Sequence, residues 1–360
     1  MVFRLSLVTV TIAALLASVS GQQLRLKVSG PAQVSDIADL TVTTTLTNAG
    51  ADKVILIKEP SSALSSSPAH TFNLFHDSGS TPEFTGILYK YSLEKAAKNP
   101  ETLVTLAPGA SIEVSHSLAG TYNFTRSGSG SYNISPSTLF YVVNAEGTAE
   151  QVHAVLQNTH AVSFSSGSRL AVSPPVAARS IEQRGLSKRA AYSSCSSTRQ
   201  TQIAAAIPAA VSYVSESLSY LNAHTTTSTR VVTWFGTWSS SKRTTLITQY
   251  TSLQATGSYT DWTYDCACTD GDSNTYAYVY PSQYGTINLC GAFWSAPTTG
   301  TDSKAGTLIH ESTHFTKTAG TSDYAYGQTA AKALAISNPS HAVLNADSHE
   351  YFSENNPSLA

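Results

Sequence analysis

The 360-residue chain contains few charged residues and no excess of either sign. Asp, Glu, Lys and Arg make up 12% of the sequence, and the formal net charge is -2. Proteins that bind nucleic acids or anionic membranes are typically rich in basic residues, so the composition argues against both partners. The chain after Gly21 also lacks an apolar stretch long enough to cross a bilayer. We therefore expect neither a nucleic-acid partner nor a membrane partner.

Cysteine is scarce and confined to the C-terminal half. The four cysteines are Cys195, Cys266, Cys268 and Cys290, and none of them forms a C-x-x-C pair. The missing pair disfavours a cysteine-ligated zinc site, whereas an even number of cysteines in an exported domain is typical of disulfides. A bridge between Cys266 and Cys268 would be strained because only one residue separates them. Two pairings remain, and the spacing does not choose between them.

The N-terminal segment MVFRLSLVTVTIAALLASVSGQQ has the pattern of a secretory signal peptide. Arg4 precedes an apolar run over residues 5–16, and the small residues Val19 and Gly21 precede a candidate cleavage site. The run is too short and too often interrupted by threonine for a membrane span. We expect residues 1–21 to be a signal peptide and the mature protein to be secreted to the extracellular space.

Residues 22–189 predict a mainly β, sandwich-like domain followed by a linker. Short β-branched or alternating segments, such as LRLKVSG, KVILIK and LFYVVNA, are separated by Gly, Pro and Asn. Sequons at Asn123 and Asn133 agree with a secreted glycoprotein. The linker ends in the dibasic pair Lys188-Arg189, where we expect a processing protease to cut. A solvated linker that is never cleaved is the alternative.

Residues 190–360 predict an α+β domain. The predicted elements are a helix over residues 197–224 that Pro208 kinks or breaks, a strand at VVTWFGTW, a helix at SSKRTTLITQYTSLQ, a hairpin or pair of edge strands at YAYVYPSQYGTINLC, a helix from Thr301 to Phe315 capped by Thr301 or Asp302, and helices at about 328–336 and 347–354.

The segment GTLIHESTHFTKTAGTSDYAYG, residues 306–327, contains an H-E-x-x-H motif. His310 and His314 are four residues apart, so both lie on one face of a helix. Two imidazoles at this spacing suit a zinc ion, and Glu311 beside the first can accept a proton from water that zinc activates. The alternative is an amphipathic helix whose His and Glu have no metal.

A catalytic zinc site needs a third protein ligand. Asp323 is the best-placed candidate because Gly320 permits the chain to reverse after the helix. His341 and His349 are competing candidates further along the chain. Tyr326 follows Asp323 by three residues and is a candidate hydrogen-bond donor to an oxyanion, with a packing role as its alternative.

The motifs HESTH (residues 310–314) and GTSDYAYG (residues 320–327) together resemble those of the aspzincin metalloendopeptidases, the deuterolysin group. The resemblance implies one zinc ion per chain, bound by His310, His314 and Asp323. It gives Glu311 a catalytic role and makes Tyr326 the stabiliser of the oxyanion. It also implies a zincin-like α+β catalytic domain at residues 190–360, preceded by a β-rich propeptide.

Further segments, including YAYVYP, LCGAFW and NADSHEYFSENNP, are similar to the fungal peptidyl-Lys branch of this family, and the similarity covers essentially all of residues 191–358. It implies cleavage on the amino side of lysine. It also implies disulfides between Cys195 and Cys266 and between Cys268 and Cys290.

A buried lysine ammonium needs a carboxylate partner. Asp347 and Glu350 are three residues apart and share a helix face, and the resemblance implies that they line the lysine pocket. D-x-x-E is also a capping box, with Asp347 as N-cap. Without the resemblance, the local pattern favours this capping role. His349 between them is expected to pack or to form hydrogen bonds.

The expected partners are lysine-containing protein and peptide substrates, the protein's own propeptide and a dibasic processing protease. Two other functions remain open. One is a deuterolysin-type protease with broad or different specificity, and the other is a secreted binding module whose β-sandwich is functional and whose metal site is vestigial.

Overall fold

The structure is a computed structural model that describes residues 24–172, 190–256 and 259–360. The expected signal peptide and the dibasic pair Lys188-Arg189 lie outside the described residues. We call residues 24–172 the N-terminal region and residues 190–360 the C-terminal region. Within the described ranges, no helix combines the length and the apolar character that a membrane span requires.

The N-terminal region is built from short strands, with one short α-helix and two single-turn 3-10 helices among its described residues. The strands are β1 (Leu24–Ser29), β2 (Gln33–Asp36), β3 (Thr41–Asn48), β4 (Val54–Ile57), β5 (Phe72–His76), β6 (Glu83–Phe84), β7 (Leu88–Tyr91), β8 (Leu103–Leu106), β9 (Ser111–Ser117), β10 (Tyr122–Asn123), β11 (Gly130–Pro136), β12 (Leu139–Val143), β13 (Ala149–His153), β14 (Val155–Leu156) and β15 (His160–Arg169). Helix α1 is Leu93–Ala96, and the 3-10 helices are Ile37–Asp39 and Pro100–Thr102.

Most of these strands form small sheets with an alternating burial pattern. The four-stranded sheets have the orders β14-β1-β3-β9, β2-β15-β11-β5 and β13-β12-β4-β8, and β10 pairs with β6. Strand β1 alternates buried and exposed residues along its length, so one of its faces lies on a core. One core of this region includes Val42, Phe124 and Phe164, and a second includes Leu26, Leu56 and Phe140. The predicted β character of this part of the chain is confirmed.

The C-terminal region mixes helices with a sheet. The elements are β16 (Ala191–Ser193), α2 (Ser197–Ala223), α3 (Thr229–Phe235), α4 (Ser240–Thr256), β17 (Thr263–Asp265), β18 (Thr275–Val279), β19 (Thr286–Leu289), α5 (Gly291–Ser295), α6 (Lys304–His314), α7 (Gln328–Ser337), α8 (Pro339–Ala342) and α9 (Ala346–Glu354). The predicted α+β class and the hairpin of β18 with β19 are confirmed. Disulfides join Cys195 to Cys266 and Cys268 to Cys290, as the resemblance implies.

The strand predicted at VVTWFGTW is wrong, because this segment belongs to helix α3. The Ser228 hydroxyl accepts a hydrogen bond from the backbone N–H of Val231 and caps the helix. Val231, Trp234 and Phe235 are buried at helical spacing, and Gly236 ends the helix with a φ of 73°. Short apolar runs of this kind fit both the helix and the strand pattern, and here the Ser228 cap favours the helix.

Two further details of the predicted helices differ. The predicted break at Pro208 is wrong, because helix α2 runs through this residue, whereas a kink there stays a prediction. Pro208 lies on the exposed side, where water can reach the carbonyl that proline leaves without a partner. The N-cap of α6 is Ser303 rather than Thr301 or Asp302, because the Ser303 hydroxyl accepts the N–H of Gly306 at 2.9 Å. Asp302 lies just outside the helix in the left-handed region, with a φ of 51°.

One strand of the N-terminal region belongs to the sheet of the C-terminal region. This sheet has the order β16-β17-β19-β18-β7, and β7 pairs antiparallel with β18. All four residues of β7 are buried. Tyr89 of β7 packs in one cluster with Tyr278, and Tyr91 packs in another with Tyr326. The two regions therefore share a hydrogen-bonded sheet and buried side chains.

Helices α6 and α9 pack against each other at Gly306. A Cβ atom at this position would collide with the carboxylate of Glu354 and would approach Oε1 of Glu350 to 2.8 Å. Glycine therefore allows the carboxylates of α9 to lie directly against α6.

Gly306→Ala is expected to lower the free energy of unfolding by about 1–3 kcal/mol, because the added methyl group overpacks this contact. Denaturant unfolding followed by tryptophan fluorescence measures the change. An unchanged midpoint would show that the helices are not in such close contact.

Candidate metal centre and acidic pocket

Helix α6 brings the two motif histidines together. His310 and His314 are buried on one face, and their ring centroids lie 4.9 Å apart. Oδ1 of Asp323 lies 3.2 Å from Nε2 of His310 and 3.4 Å from Nε2 of His314. The structure thus brings together the three residues predicted as ligands.

The backbone after α6 explains how Asp323 reaches the histidines. The chain leaves the helix at Phe315 and turns back through Gly320, which has a φ of 60°. The N–H of Thr321 then donates to the carbonyl of Thr313 at 3.1 Å, which anchors the returning segment on the helix. The N–H of Ser322 donates to Leu344 at 2.8 Å. Asp323 is therefore held between α6 and the start of α9.

The second nitrogen of each histidine also has a defined neighbour. Nδ1 of His314 lies 3.1 Å from the carbonyl oxygen of Thr321, and Nδ1 of His310 lies 2.7 Å from Oδ1 of Asp347. A proton on Nδ1 leaves Nε2 free as a metal ligand, and neighbours of this kind orient metal-binding histidines. Asp347 thus contacts the candidate metal centre as well as the acidic pocket.

The candidate ligand atoms fit a metal ion. Nε2 of His310, Nε2 of His314 and Oδ1 of Asp323 are buried and form no hydrogen bond, which is costly for polar atoms without a partner. They lie within 4.8 Å of one another. Two imidazole nitrogens and one carboxylate oxygen form a donor set that suits catalytic zinc. A bound cation explains why three polar atoms converge here without hydrogen bonds.

Glu311 lies in the same buried setting. Its side chain is fully buried, and neither carboxylate oxygen forms a hydrogen bond. Burial raises the pKa of Glu311 well above its usual value, and the negative charge of Asp323 adds to the increase, although His310 opposes it. Such a carboxylate holds a proton more readily than one in water, which suits a group that accepts and returns protons.

Tyr326 is buried at the boundary of the two regions. Its hydroxyl forms no hydrogen bond, and its ring packs with Ile57, Tyr91 and Tyr141 of the N-terminal region. Burial raises the pKa of Tyr326 well above its usual value, and the charge of Asp323 contributes. The phenol therefore stays protonated at neutral pH and can act as a donor.

The two competing histidines lie elsewhere. Nε2 of His349 is 2.9 Å from the carbonyl oxygen of Val343, and its ring packs against Phe235 and Tyr250. Burial lowers the pKa of His349 to about 4, so the ring is neutral. His341 stacks on Tyr324 at 4.2 Å. Neither residue belongs to the groups of candidate ligands found among the described residues.

Asp347 and Glu350 line a pocket beside His310, and the capping-box alternative is wrong. The N-cap of α9 is Asn345, and Asp347 lies inside the helix. Oε2 of Glu350 lies 3.4 Å from Nδ1 of His310 and 2.7 Å from Nζ of Lys90. The pocket therefore shares the His310 side chain with the metal centre.

Sequence reasoning missed two residues of this pocket, Lys90 and Asp302. Nζ of Lys90 lies 3.0 Å from Oδ1 of Asp302, and the Lys90 side chain is 2% exposed. Burial lowers the pKa of Lys90, but Glu350, Asp302 and Asp347 outweigh it and hold that pKa well above its usual value. Lys90 lies in a strand far from the motif, and Asp302 has the pattern of a helix cap. No local signal identifies either one.

The arrangement of a two-histidine helix, a returning aspartate and an adjacent buried glutamate defines a metallohydrolase centre. A family model described as lysine-specific metallo-endopeptidase matches residues 220–354, which include all these residues. Peptidyl-Lys metalloendopeptidase from Grifola frondosa is 45% identical to the chain, covering 98% of this chain and 99% of the relative. The enzyme of the same name from Armillaria mellea is 46% identical, covering 93% of this chain and 92% of the relative.

The zinc peptidase from Grifola frondosa is among the solved structures that match, with 57% sequence identity and a TM-score of 0.45; the match covers 46% of this chain and 100% of that chain. The identity over nearly the full length shows that the chain belongs to the aspzincin family of zinc metalloendopeptidases.

Asp347→Asn is expected to weaken zinc binding by about 10- to 100-fold, because the variant loses the negative charge that lies 2.7 Å from Nδ1 of His310. Glu350→Gln is the matched control: it lies further from His310 and should change zinc affinity less. Titration of the metal-free protein with zinc measures both constants. Equal affinities in the two variants would contradict this role of Asp347.

Proposed function

We propose that the chain is the proenzyme of a secreted zinc endopeptidase that cleaves peptide bonds on the amino side of lysine. The observation that carries the proposal is the position of the acidic pocket. A lysine ammonium lies 2.7 Å from Glu350, in a pocket whose wall includes the metal-centre residue His310. The name of the relatives, peptidyl-Lys metalloendopeptidase, supports the same specificity.

His310, His314 and Asp323 are the residues that would hold the zinc ion. Zinc, when bound, supplies a Lewis acid that makes water a better nucleophile and polarises a carbonyl group. Glu311 follows His310 directly on the buried helix, and its oxygens have no other partner. In the proposed reaction its carboxylate accepts a proton from the attacking water. The same carboxyl group then transfers the proton to the departing amine of the lysine residue.

Tyr326 is the proposed donor to the developing oxyanion. Its phenol is buried, protonated and without a hydrogen-bond partner, so it can donate as negative charge appears on the substrate carbonyl. In the described structure the ring of Tyr326 packs against residues of the N-terminal region. Removal of that region would leave the hydroxyl available for substrate.

Glu350 is the proposed principal counter-ion for the substrate lysine. Its oxygen is closer to the bound ammonium, at 2.7 Å, than Oδ1 of Asp347 at 3.9 Å. A fully buried ammonium is stable only when carboxylates compensate for its lost hydration. Asp347 adds a second negative charge and also contacts His310.

The proenzyme part of the proposal rests on burial of the site. The side chains of His310, His314 and Asp323 are at most 2% exposed while the N-terminal region is present. The N–H of Tyr89 from that region donates to Oδ2 of Asp323 at 3.1 Å. We propose residues 1–21 as signal peptide, 22–189 as propeptide and 190–360 as enzyme, with processing by a protease that cuts after Lys188-Arg189.

Glu311→Gln is expected to retain zinc and to lower the rate of peptide hydrolysis by about 10²- to 10⁴-fold, because the amide cannot accept the proton. Atomic absorption measures whether the variant retains zinc, and turnover of a lysine-containing peptide measures its rate of hydrolysis. Near-normal turnover in a zinc-loaded variant would remove Glu311 from the mechanism.

Cleavage-site sequencing tests the specificity. The enzyme processed from the full chain is incubated with a denatured protein mixture, and mass spectrometry identifies the new N-termini. Lysine is expected at most new N-termini, and a zinc chelator should abolish them. New N-termini without a lysine preference would favour a deuterolysin-type protease of broad specificity, and no cleavage at all would favour a binding module.

A further inference from the structure

Strand β7 pairs with the sheet of the C-terminal region beside the candidate metal centre. Its residues pair antiparallel with β18, so that Leu88 lies opposite Val279 and Tyr89 lies opposite Tyr278. Without β7, strand β18 would be the edge of this sheet, as the order β16-β17-β19-β18-β7 shows. An exposed edge strand binds an extended peptide through its main chain.

The backbone of β7 contacts one of the candidate metal ligands. The N–H of Tyr89 donates to Oδ2 of Asp323 at 3.1 Å, and the next side chain, Lys90, enters the acidic pocket. The Tyr89–Lys90 peptide bond thus joins a residue whose N–H contacts a candidate metal ligand to the lysine that fills the pocket. The Tyr89–Lys90 bond is on the amino side of a lysine, as is the substrate bond that the proposed enzyme cleaves.

The pocket around Lys90 contains more than the two carboxylates of α9. Nζ of Lys90 lies 3.0 Å from Asp302, nearly as close as the 2.7 Å to Glu350 and closer than the 3.9 Å to Asp347. It also lies 4.7 Å from the centroid of the Tyr276 ring, which favours a cation. Two of the groups near the ammonium, the carboxylate of Asp302 and the ring of Tyr276, thus come from residues outside α9.

Asp302 is held in place by two residues of α9. The hydroxyl of Tyr351 donates to its Oδ1 at 2.7 Å, and its backbone N–H donates to Oε2 of Glu354 at 3.2 Å. Glu354 also accepts from the backbone N–H of Ser303 at 2.8 Å. The carboxylate of Asp302 is therefore preorganised for a cation, which lowers the cost of binding one.

We propose that Asp302 is a specificity-determining residue for lysine, and that β7 holds Lys90 in its pocket as an internal mimic of the substrate. The proposal rests on the proposed lysine-specific function and deepens it. Substrate lysine would take the place of the Lys90 ammonium between Asp302 and Glu350. The N-terminal region would inhibit the enzyme by filling both the edge of β18 and this pocket.

The role of Asp302 is tested with Asp302→Asn in the enzyme processed from the full chain. Asparagine tolerates the left-handed backbone at this position, so the variant removes charge without straining the turn. Two peptides are compared that differ only in lysine or norleucine after the cleaved bond. We expect kcat/KM for the lysine peptide to fall about 10- to 100-fold and that for the norleucine peptide to stay unchanged.

Glu216→Gln, a charge change at an exposed position of α2, is the control and should leave both peptides unaffected. An equal loss for the two peptides in Asp302→Asn would show a merely structural role. An unchanged lysine preference would remove Asp302 from the specificity pocket. Either result overturns this half of the proposal.

The role of Lys90 is tested in an intact chain whose Lys188-Arg189 pair is replaced by serines, so that it is not processed there. Lys90→Ala leaves the buried carboxylates without their counter-ion and should release β7. We expect the rate of lysine-peptide cleavage by the intact chain to rise at least about 10-fold over the same chain with Lys90. A tenfold rise corresponds to a loss of about 1.4 kcal/mol in the free energy with which β7 occupies the site.

Lys95→Ala is the matched control. Lys95 lies in the same N-terminal region and contacts the C-terminal region through Ser295 at 2.9 Å, but it is outside the pocket. It should leave the activity of the intact chain unchanged. An equal rise in both variants would indicate general loosening of the two regions, and no rise in Lys90→Ala would refute the mimic.

The processed enzyme separates this proposal from the proposed function. If it does not cleave lysine peptides, the proposed function fails. If it cleaves them and the intact Lys90 chain cleaves them equally fast, the proposed function stands and the mimic alone is refuted.

Discussion

The close packing of α6 against α9 is the constraint on which the site depends. Gly306 lets the carboxylates of α9 lie directly on the helix that carries both motif histidines. As a result, Asp347 contacts His310 at 2.7 Å, and Glu350 reaches the same ring at 3.4 Å. This helix pair therefore joins the two motif histidines, Asp347 and Glu350 in a single buried unit, to which Asp323 is added from the segment after α6. In such a unit, binding of a lysine ammonium and positioning of a metal ligand are electrostatically coupled.

Burial explains why the unit needs cations. Carboxylates taken out of water are stable only with positive charge close by. Asp323 faces two imidazoles, and Glu350 faces the ammonium of Lys90, which the partly exposed Asp302 also approaches. In the described structure the N-terminal region supplies that ammonium. The same physical requirement thus accounts for the proposed metal, the proposed substrate preference and the contact between the two regions.

The sequence predicts which side chains meet at the candidate metal centre better than it predicts what surrounds them. The spacing of HESTH and the turn at Gly320 depend on local backbone geometry, so they indicate His310, His314 and Asp323 correctly as neighbours. The apolar run VVTWFGTW predicts a strand, although residues 231–235 belong to helix α3, because such a run fits both patterns. The D-x-x-E pattern predicts Asp347 as a helix cap because a local pattern ignores tertiary contacts, whereas the N-cap is Asn345. The insertion of Lys90 could not be predicted, since it joins residues more than 200 positions apart.

The relation of the β-rich half to the catalytic half also lies beyond local patterns. Short alternating or β-branched segments predict strands over residues 22 to about 175, but strand β7 completes a sheet of the other half. Pairing of this kind depends on which edge is free in the folded protein, and no periodicity reveals it.

A crystal structure of the zinc-loaded full chain, with anomalous diffraction measured at the zinc absorption edge, tests the central claim most directly. The account predicts one strong zinc peak between Nε2 of His310, Nε2 of His314 and Oδ1 of Asp323, next to a pocket that holds an ammonium group. A zinc peak at other residues, or three side chains that point apart with no peak between them, would contradict it.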